Sequence, residues 1–138
     1  MKILGIDLGK ARTGVAVSDE NEKLAFPLTT LKERSDEELL FKILGIIERL
    51  NIKKIVVGLP KNMNATEGAS AKKARSFGKA IENKTDAKVV MQDERMTTII
   101  AHKYLDSVNL VTKKRRNIVD SVAATVILQS FLDAKTNV

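Results

Sequence analysis

The chain has 138 residues, 43% of them apolar, which suits one compact domain with a real core and argues against wholesale disorder. It holds no cysteine, so disulfides and thiolate zinc sites are excluded, and no run approaches the ~20 apolar residues of a membrane span. Lysine and arginine total 24 against 17 acids, a net charge of +7 that favours a polyanionic partner, nucleic acid first.

Ile3 to Asp7 is an apolar run closed by Asp-Leu-Gly; the acid and the lack of a small-residue cleavage site make it a strand rather than a signal peptide. Val15 to Asp19 reads as a second strand and Leu24 to Leu31 as a third, with Pro27 marking an edge position or a bulge. Short connections imply that these three are antiparallel. Ser35 and Glu38 have the form of a capping box, and Leu39, Leu40, Ile43, Ile46, Ile47 and Leu50 follow at helical spacing. Lys53 to Pro60 is a buried-type strand running into a turn at Gly58-Leu59-Pro60, and Thr66 to Ile81 a helix weakened by Gly68 and Gly78. Ala87 to Gln92 is a fifth strand, a helix spans about Thr98 to Leu105, and a last helix runs from about Arg115 to Leu132. The order β-β-β-α-β-α-β-α-α predicts an α/β fold. Its mixed five-stranded sheet, three antiparallel strands followed by parallel β-α-β units, is flanked by helices.

Three groups of acids fall at unusual places. Asp7 ends a central strand, where open α/β sheets place their sites; it could also be a turn former. Asp93 and Glu94 end another strand, and alternation allows only one of them to share a face with Asp7. Asp120 shares a stripe with Ala123, Ala124, Ile127, Leu128 and Phe131, the apolar face of the last helix. A carboxylate there must be paired, protonated or metal-bound, with a salt bridge to Arg12 or Arg95 as the alternative to a metal. Three carboxylates from separate elements, with no His or Cys cluster, suit Mg²⁺ or Mn²⁺. Two such ions ~4 Å apart could activate water and stabilise the leaving oxygen in phosphodiester cleavage. His102, the single histidine, falls mid-helix and supports no Ser-His-Asp or Cys-His mechanism.

Aromatics are 4% of the chain, too few for a base-stacking platform, so nucleic acid would be held by its backbone. Gly9 and Gly14 bracket Lys10 and Arg12, which could clamp phosphate oxygens; Lys72, Arg75 and Lys79 form one helix face. Lys113, Lys114, Arg115 and Arg116 lie just before Asp120, where basic groups oppose the helix dipole and so suggest a backbone-binding role.

These motifs together resemble the YqgF family (the RuvX group), whose members are described as Holliday junction resolvase-like proteins and as pre-16S rRNA nucleases. The resemblance rests on Asp7-Leu8-Gly9 with Arg12, Gly14 and Ser18-Asp19, then Val56-Val57-Gly58-Leu59-Pro60 with Thr66-Glu67-Gly68. It continues through Asp93-Glu94-Arg95 with Thr97-Thr98 and ends at Asp120 with Ala123-Ala124, in the family's order and over nearly the whole chain. It implies a single RNase H-like nuclease domain over residues 1–138, with Asp7, Glu94 and Asp120 as the metal-binding catalytic triad. Related resolvases carry an acid near the end of the fourth strand. Gly58-Leu59-Pro60 stands there in this chain, so the middle ligand comes from Glu94 or, alternatively, Asp93.

The implied activity is metal-dependent endonucleolytic hydrolysis in 5′-end maturation of pre-16S rRNA, with Arg95 joining the basic residues that hold the substrate. The alternatives are a resolvase of branched four-way DNA, which needs a dimer for symmetric cuts, and a non-catalytic RNA- or ribosome-binding module. A monomer or weak homodimer in the cytoplasm, away from membranes, is the expected setting. Actin-like kinases also begin with Asp-X-Gly-X-X-X-X-Gly, but they need two such domains and this length supplies one.

Overall fold

Runs of Ile, Leu, Val and Ala build five strands: β1 (Ile3–Leu8), β2 (Thr13–Ser18), β3 (Ala25–Leu31), β4 (Lys54–Leu59) and β5 (Lys88–Asp93). Among the described residues three helices accompany them: α1 (Asp36–Leu50), α2 (Ala69–Lys84) and α3 (Thr112–Thr136). The computed structural model describes residues 1–33, 35–62, 64, 66–94 and 112–136, with side chains from Ser121 to Lys135 in the last stretch. The helix expected near Thr98 to Leu105, and His102 within it, lie outside the described residues. No helix among those described is long and apolar enough to cross a membrane.

The strands form one sheet in the order β3-β2-β1-β4-β5. β2 pairs antiparallel with β1 and β3, while β4 is parallel to both β1 and β5. This is the mixed sheet that the pattern predicts. Ile3, Leu4 and Ile6 are all buried, as a central strand covered on both faces requires. Leu4, Ile6, Val15, Ile55, Val57 and Leu59 face α1 and α2, packing on Leu39, Ile43, Ile47, Ala74, Phe77 and Ile81. On the other face Ile3, Ala16 and Val56 meet Ala124, Ile127, Leu128 and Leu132 of α3.

Local chemistry sets the boundaries. Ser35 accepts a hydrogen bond from the Glu38 N–H at 3.2 Å at the start of α1, and Asn51, at φ 54° and ψ 49°, ends it in the left-handed conformation. α2 starts three residues later than its apolar period suggests. Asn62 donates to the Thr66 carbonyl at 2.8 Å and Lys61 bridges Glu67, so residues 61–67 close a loop of their own. Lys113 and Lys114, expected in the connection before a helix from about Arg115, belong with Arg115 and Arg116 to α3 from its first turn.

Both sheet edges are interrupted. Val15 pairs with Thr29 and Ala16 with Pro27, leaving Leu28 as the extra residue of a bulge on the outermost strand β3. At the opposite edge the Val89 N–H of β5 donates to Glu82 Oε2 of α2 at 3.3 Å. Both readings of Pro27, edge and bulge, are therefore realised.

α3 lies close to the sheet because Gly5 has no side chain. A Cβ there would stand 2.9 Å from Leu128 Cβ and 3.3 Å from the Ala124 carbonyl oxygen, neither of which can swing away. Gly5→Ala therefore lifts the helix from β1 and costs about 1–3 kcal/mol. A lowered urea midpoint with unchanged slope is the expected reading.

Candidate active site

Alternation along β1 puts Gly5 and Asp7 on the α3 face, with Leu4 and Ile6 on the other. Ile6 pairs with Val57, so Asp7 stands beside Gly58 on β4. Gly58 in turn pairs with Gln92 and Leu59 with Asp93, and the Glu94 N–H continues the ladder to the Leu59 carbonyl at 3.2 Å. Glu94 thus follows Val90 and Gln92 on the α3 face. Its carboxylate lies over Gly58, where a Cβ would come within 2.5 Å of Glu94 Oε2. From there it shares a side-chain hydrogen bond with Asp7, across the width of β4.

A hydrogen bond between two carboxyl groups needs a proton on one of them. Burial is the largest influence on Glu94, followed by the charge of Asp7, the hydrogen bond to it, and the charge of Asp93. Together they push the Glu94 carboxyl from 4.5 up to about 9. Asp93 itself is exposed and, by alternation, belongs to the opposite face with Val89 and Met91. Of the two acids that the sequence left open, Glu94 is the one that meets Asp7.

Asp120 belongs to α3, one turn before Ala124 and close to two turns before Ile127; its side chain lies outside the described residues. The helix runs antiparallel to β1. Ala124 and Leu128 sit against Gly5, while Lys135 pairs with Glu22, which binds the Met1 amino group at 3.3 Å. The four residues from Ala124 back to Asp120 span about 6 Å of helix. The two from Gly5 to Asp7 span about 7 Å of strand in the same direction. The backbone of Asp120 is therefore carried to the level of Asp7. Among the described residues no group of three His, Cys, Asp or Glu gathers, and the site within them is the pair Asp7–Glu94.

The remaining motif residues separate into two kinds. Lys10 is exposed and Arg12 half-buried in the β1–β2 turn, closed by the Gly9 N–H donating to the Arg12 carbonyl at 2.9 Å. Both adjoin the end of β1 that carries Asp7. Others hold the fold. Buried Ser18 accepts from the Ile3 N–H at 2.8 Å, and Asp19 accepts from the Lys23 and Leu24 N–H groups. Arg75 is gripped by Glu67 through two hydrogen bonds of 2.8 Å, and with exposed Lys72 and Lys79 it lies in the helical layer opposite α3. Arg95 lies outside the described residues, as do the side chains of Lys113 to Arg116.

Sequence reasoning treats Gly58 as part of a turn. The structure corrects this: Gly58 is a buried residue inside β4, no glycine of the described backbone has a positive φ, and close approach of Glu94 is what the position requires. A glycine inside an apolar strand is the signal that pointed to it.

A family model described as "RuvX: Holliday junction resolvase" matches residues 1–134. A Clostridium beijerinckii protein named "Putative pre-16S rRNA nuclease" is 46% identical over 133 residues, covering 96% of each chain. A protein of the same name from Caldanaerobacter subterraneus subsp. tengcongensis is 39% identical over 138 residues, with 99% of each chain covered. Among solved structures, T. thermophilus RuvC in complex with a Holliday junction substrate superposes with TM-score 0.64 at 15% identity, covering 99% of this chain and 96% of that one. The fowlpox virus resolvase bound to Holliday junction DNA gives TM-score 0.60 at 14% identity, over 98% and 99%. At such identities the likeness establishes the fold alone, an RNase H-like one.

The raised Glu94 value has a consequence for stability. Below pH 4.5 the protonated group's contribution is fully present, and it is lost as pH rises towards 9, because the unfolded chain releases the proton first. Glu94→Gln removes that loss. Without added metal, its melting temperature should exceed that of the wild type by a margin widening from pH 5 to pH 9, reaching several degrees at ~4 °C per kcal/mol. Parallel pH-dependent melting curves would overturn the assignment of this proton.

Proposed function

The chain belongs to the RuvX family, and from that premise we propose that it is a metal-dependent endonuclease maturing the 5′ end of pre-16S rRNA. The observation that carries the proposal is the Asp7–Glu94 pair, two carboxyl groups drawn together at the C-terminal ends of parallel strands. Like charges this close are unfavourable until a cation or a proton compensates them, and an all-oxygen donor set fits Mg²⁺ or Mn²⁺. Asp7, Glu94 and Asp120 would hold the ion, with Asp93 outside the set because it faces the other helical layer. When bound, such ions, singly or as a pair, lower the pKa of water and neutralise charge on the scissile phosphate.

The protein's own groups do the rest. Asp7 and Glu94 fix the donor oxygens on rigid strands, and α3 carries Asp120 to their level. Lys10 and Arg12 border the site and would grip phosphate oxygens, as would Lys113, Lys114, Arg115 and Arg116 at the start of α3, and Arg95 beyond Glu94. Lys72 adds a cation on the far layer, while Arg75 there is committed to Glu67. We read residues 1–138 as one nuclease domain acting as a monomer or weak homodimer in the cytoplasm.

The description of the family model favours a second reading, cleavage of four-way DNA junctions. Labelled pre-16S rRNA and a four-way junction, incubated side by side with Mg²⁺ or Mn²⁺, separate the two. Cleavage of the RNA is expected, and junction cleavage alone would transfer the assignment to DNA. Asp7→Asn and Glu94→Gln should each lower cleavage beyond the ~10–100-fold that loss of an outer-shell metal partner costs. Full activity in both variants would leave a non-catalytic RNA- or ribosome-binding module as the better description.

A further inference from the structure

We infer that Gly58 is a positioning residue for Glu94: its missing side chain is the opening across β4 through which the Glu94 carboxylate reaches Asp7. The inference rests on the metal-dependent reading of that pair. Asp7 and Glu94 belong to strands on either side of β4, so their backbones are about 10 Å apart. The pair meets only because Glu94 lies flat across the strand between them. A Cβ on Gly58 would stand 2.5 Å from Glu94 Oε2 and 3.0 Å from its Cδ, inside any distance that real atoms keep. Any other residue at position 58 displaces the carboxylate.

The same Cβ would stand 2.7 Å from Ile127 Cδ1, so a plain packing role under α3 must be separated from positioning. The three atoms involved differ in kind from those around Gly5. They are the ends of flexible side chains, whereas Gly5 faces a backbone carbonyl and a Cβ. Alanine at position 58 is thus compatible with folding. Gly45 and Gly68, with nothing within 4 Å, show that such crowding is not general to the glycines of this chain.

Ile127→Val removes the Cδ1 atom and leaves Glu94 untouched, which makes the two roles separable. Mn²⁺ affinity by calorimetry, melting without metal, and kcat and KM for precursor RNA should be measured on four proteins. These are wild type, Gly58→Ala, Ile127→Val and the double variant. Wild type and Ile127→Val should bind Mn²⁺ alike. Gly58→Ala and the double variant should bind it at least ~10-fold more weakly, the range of a lost positioning contact. Their kcat should fall while KM stays near that of the wild type, and the double variant should recover any melting deficit of Gly58→Ala without recovering affinity. Mn²⁺ affinity of Gly58→Ala within twofold of wild type overturns the inference, as does recovery of affinity in the double variant. If Gly58→Ala does not fold, the double variant decides alone. Absence of Mn²⁺ binding by the wild type would instead remove the metal-dependent reading, and this inference with it.

Discussion

Two carboxyl groups that would repel one another if both were ionised are held within hydrogen-bonding reach at the C-terminal ends of β1 and β5, and the architecture around them serves that closeness. In water the pair would separate. Here Asp7 is fixed by the pairing of β1 with both β2 and β4, and Glu94 by its main-chain bond to Leu59. Burial makes a charge on Glu94 costly, and the neighbouring Asp7 makes it costlier, so the proton stays on to high pH. The rest of the fold must supply enough stability to tolerate this frustrated corner. Residues at functional sites commonly depart in this way from what packing alone would choose.

Much of that stability comes from the layer between the sheet and α1 and α2, which packs Leu4, Ile6, Ile55 and Val57 against long apolar side chains. The α3 layer is built differently. Glycines on the sheet and alanines on the helix bring two backbones near each other, which leaves little depth above the strands and puts the helix beside the carboxyl pair. Ordinary packing on one side and close approach on the other explain why the carboxyl pair lies under α3 and the bulk of the core does not.

Apolar periodicity made the five strands and the helices α1 and α3 legible from sequence, because each pattern matches the period of its element, and the connections between them made the antiparallel and parallel pairing legible. Asp7 and Asp120 were visible as candidates too, the first by interrupting an apolar run and the second by sitting in an apolar stripe; of the two, only Asp7 has its side chain among the described residues, where it meets Glu94. The choice between Asp93 and Glu94 was not, since it depends on where the ladder of β5 ends. One residue more or less exchanges the two faces, and only the bond from Glu94 to Leu59 fixes the parity. The start of α2 was misplaced because hydrogen bonds between Asn62 and Thr66 compete with the helix for the same residues. Gly58 was visible as a letter but not as a gap, because its meaning lies in a side chain from a neighbouring strand. Ser18, Asp19 and Glu67 drew notice as motif residues and prove to tie turns and loops.

An open five-stranded sheet has two edges at which another chain could add a strand. At one of them Pro27 offers no N–H and the bulge at Leu28 breaks the even spacing that a docking strand would need. At the other, Glu82 occupies the Val89 donor. With these two interruptions, neither edge presents an unbroken row of donors and acceptors to a second copy of the chain.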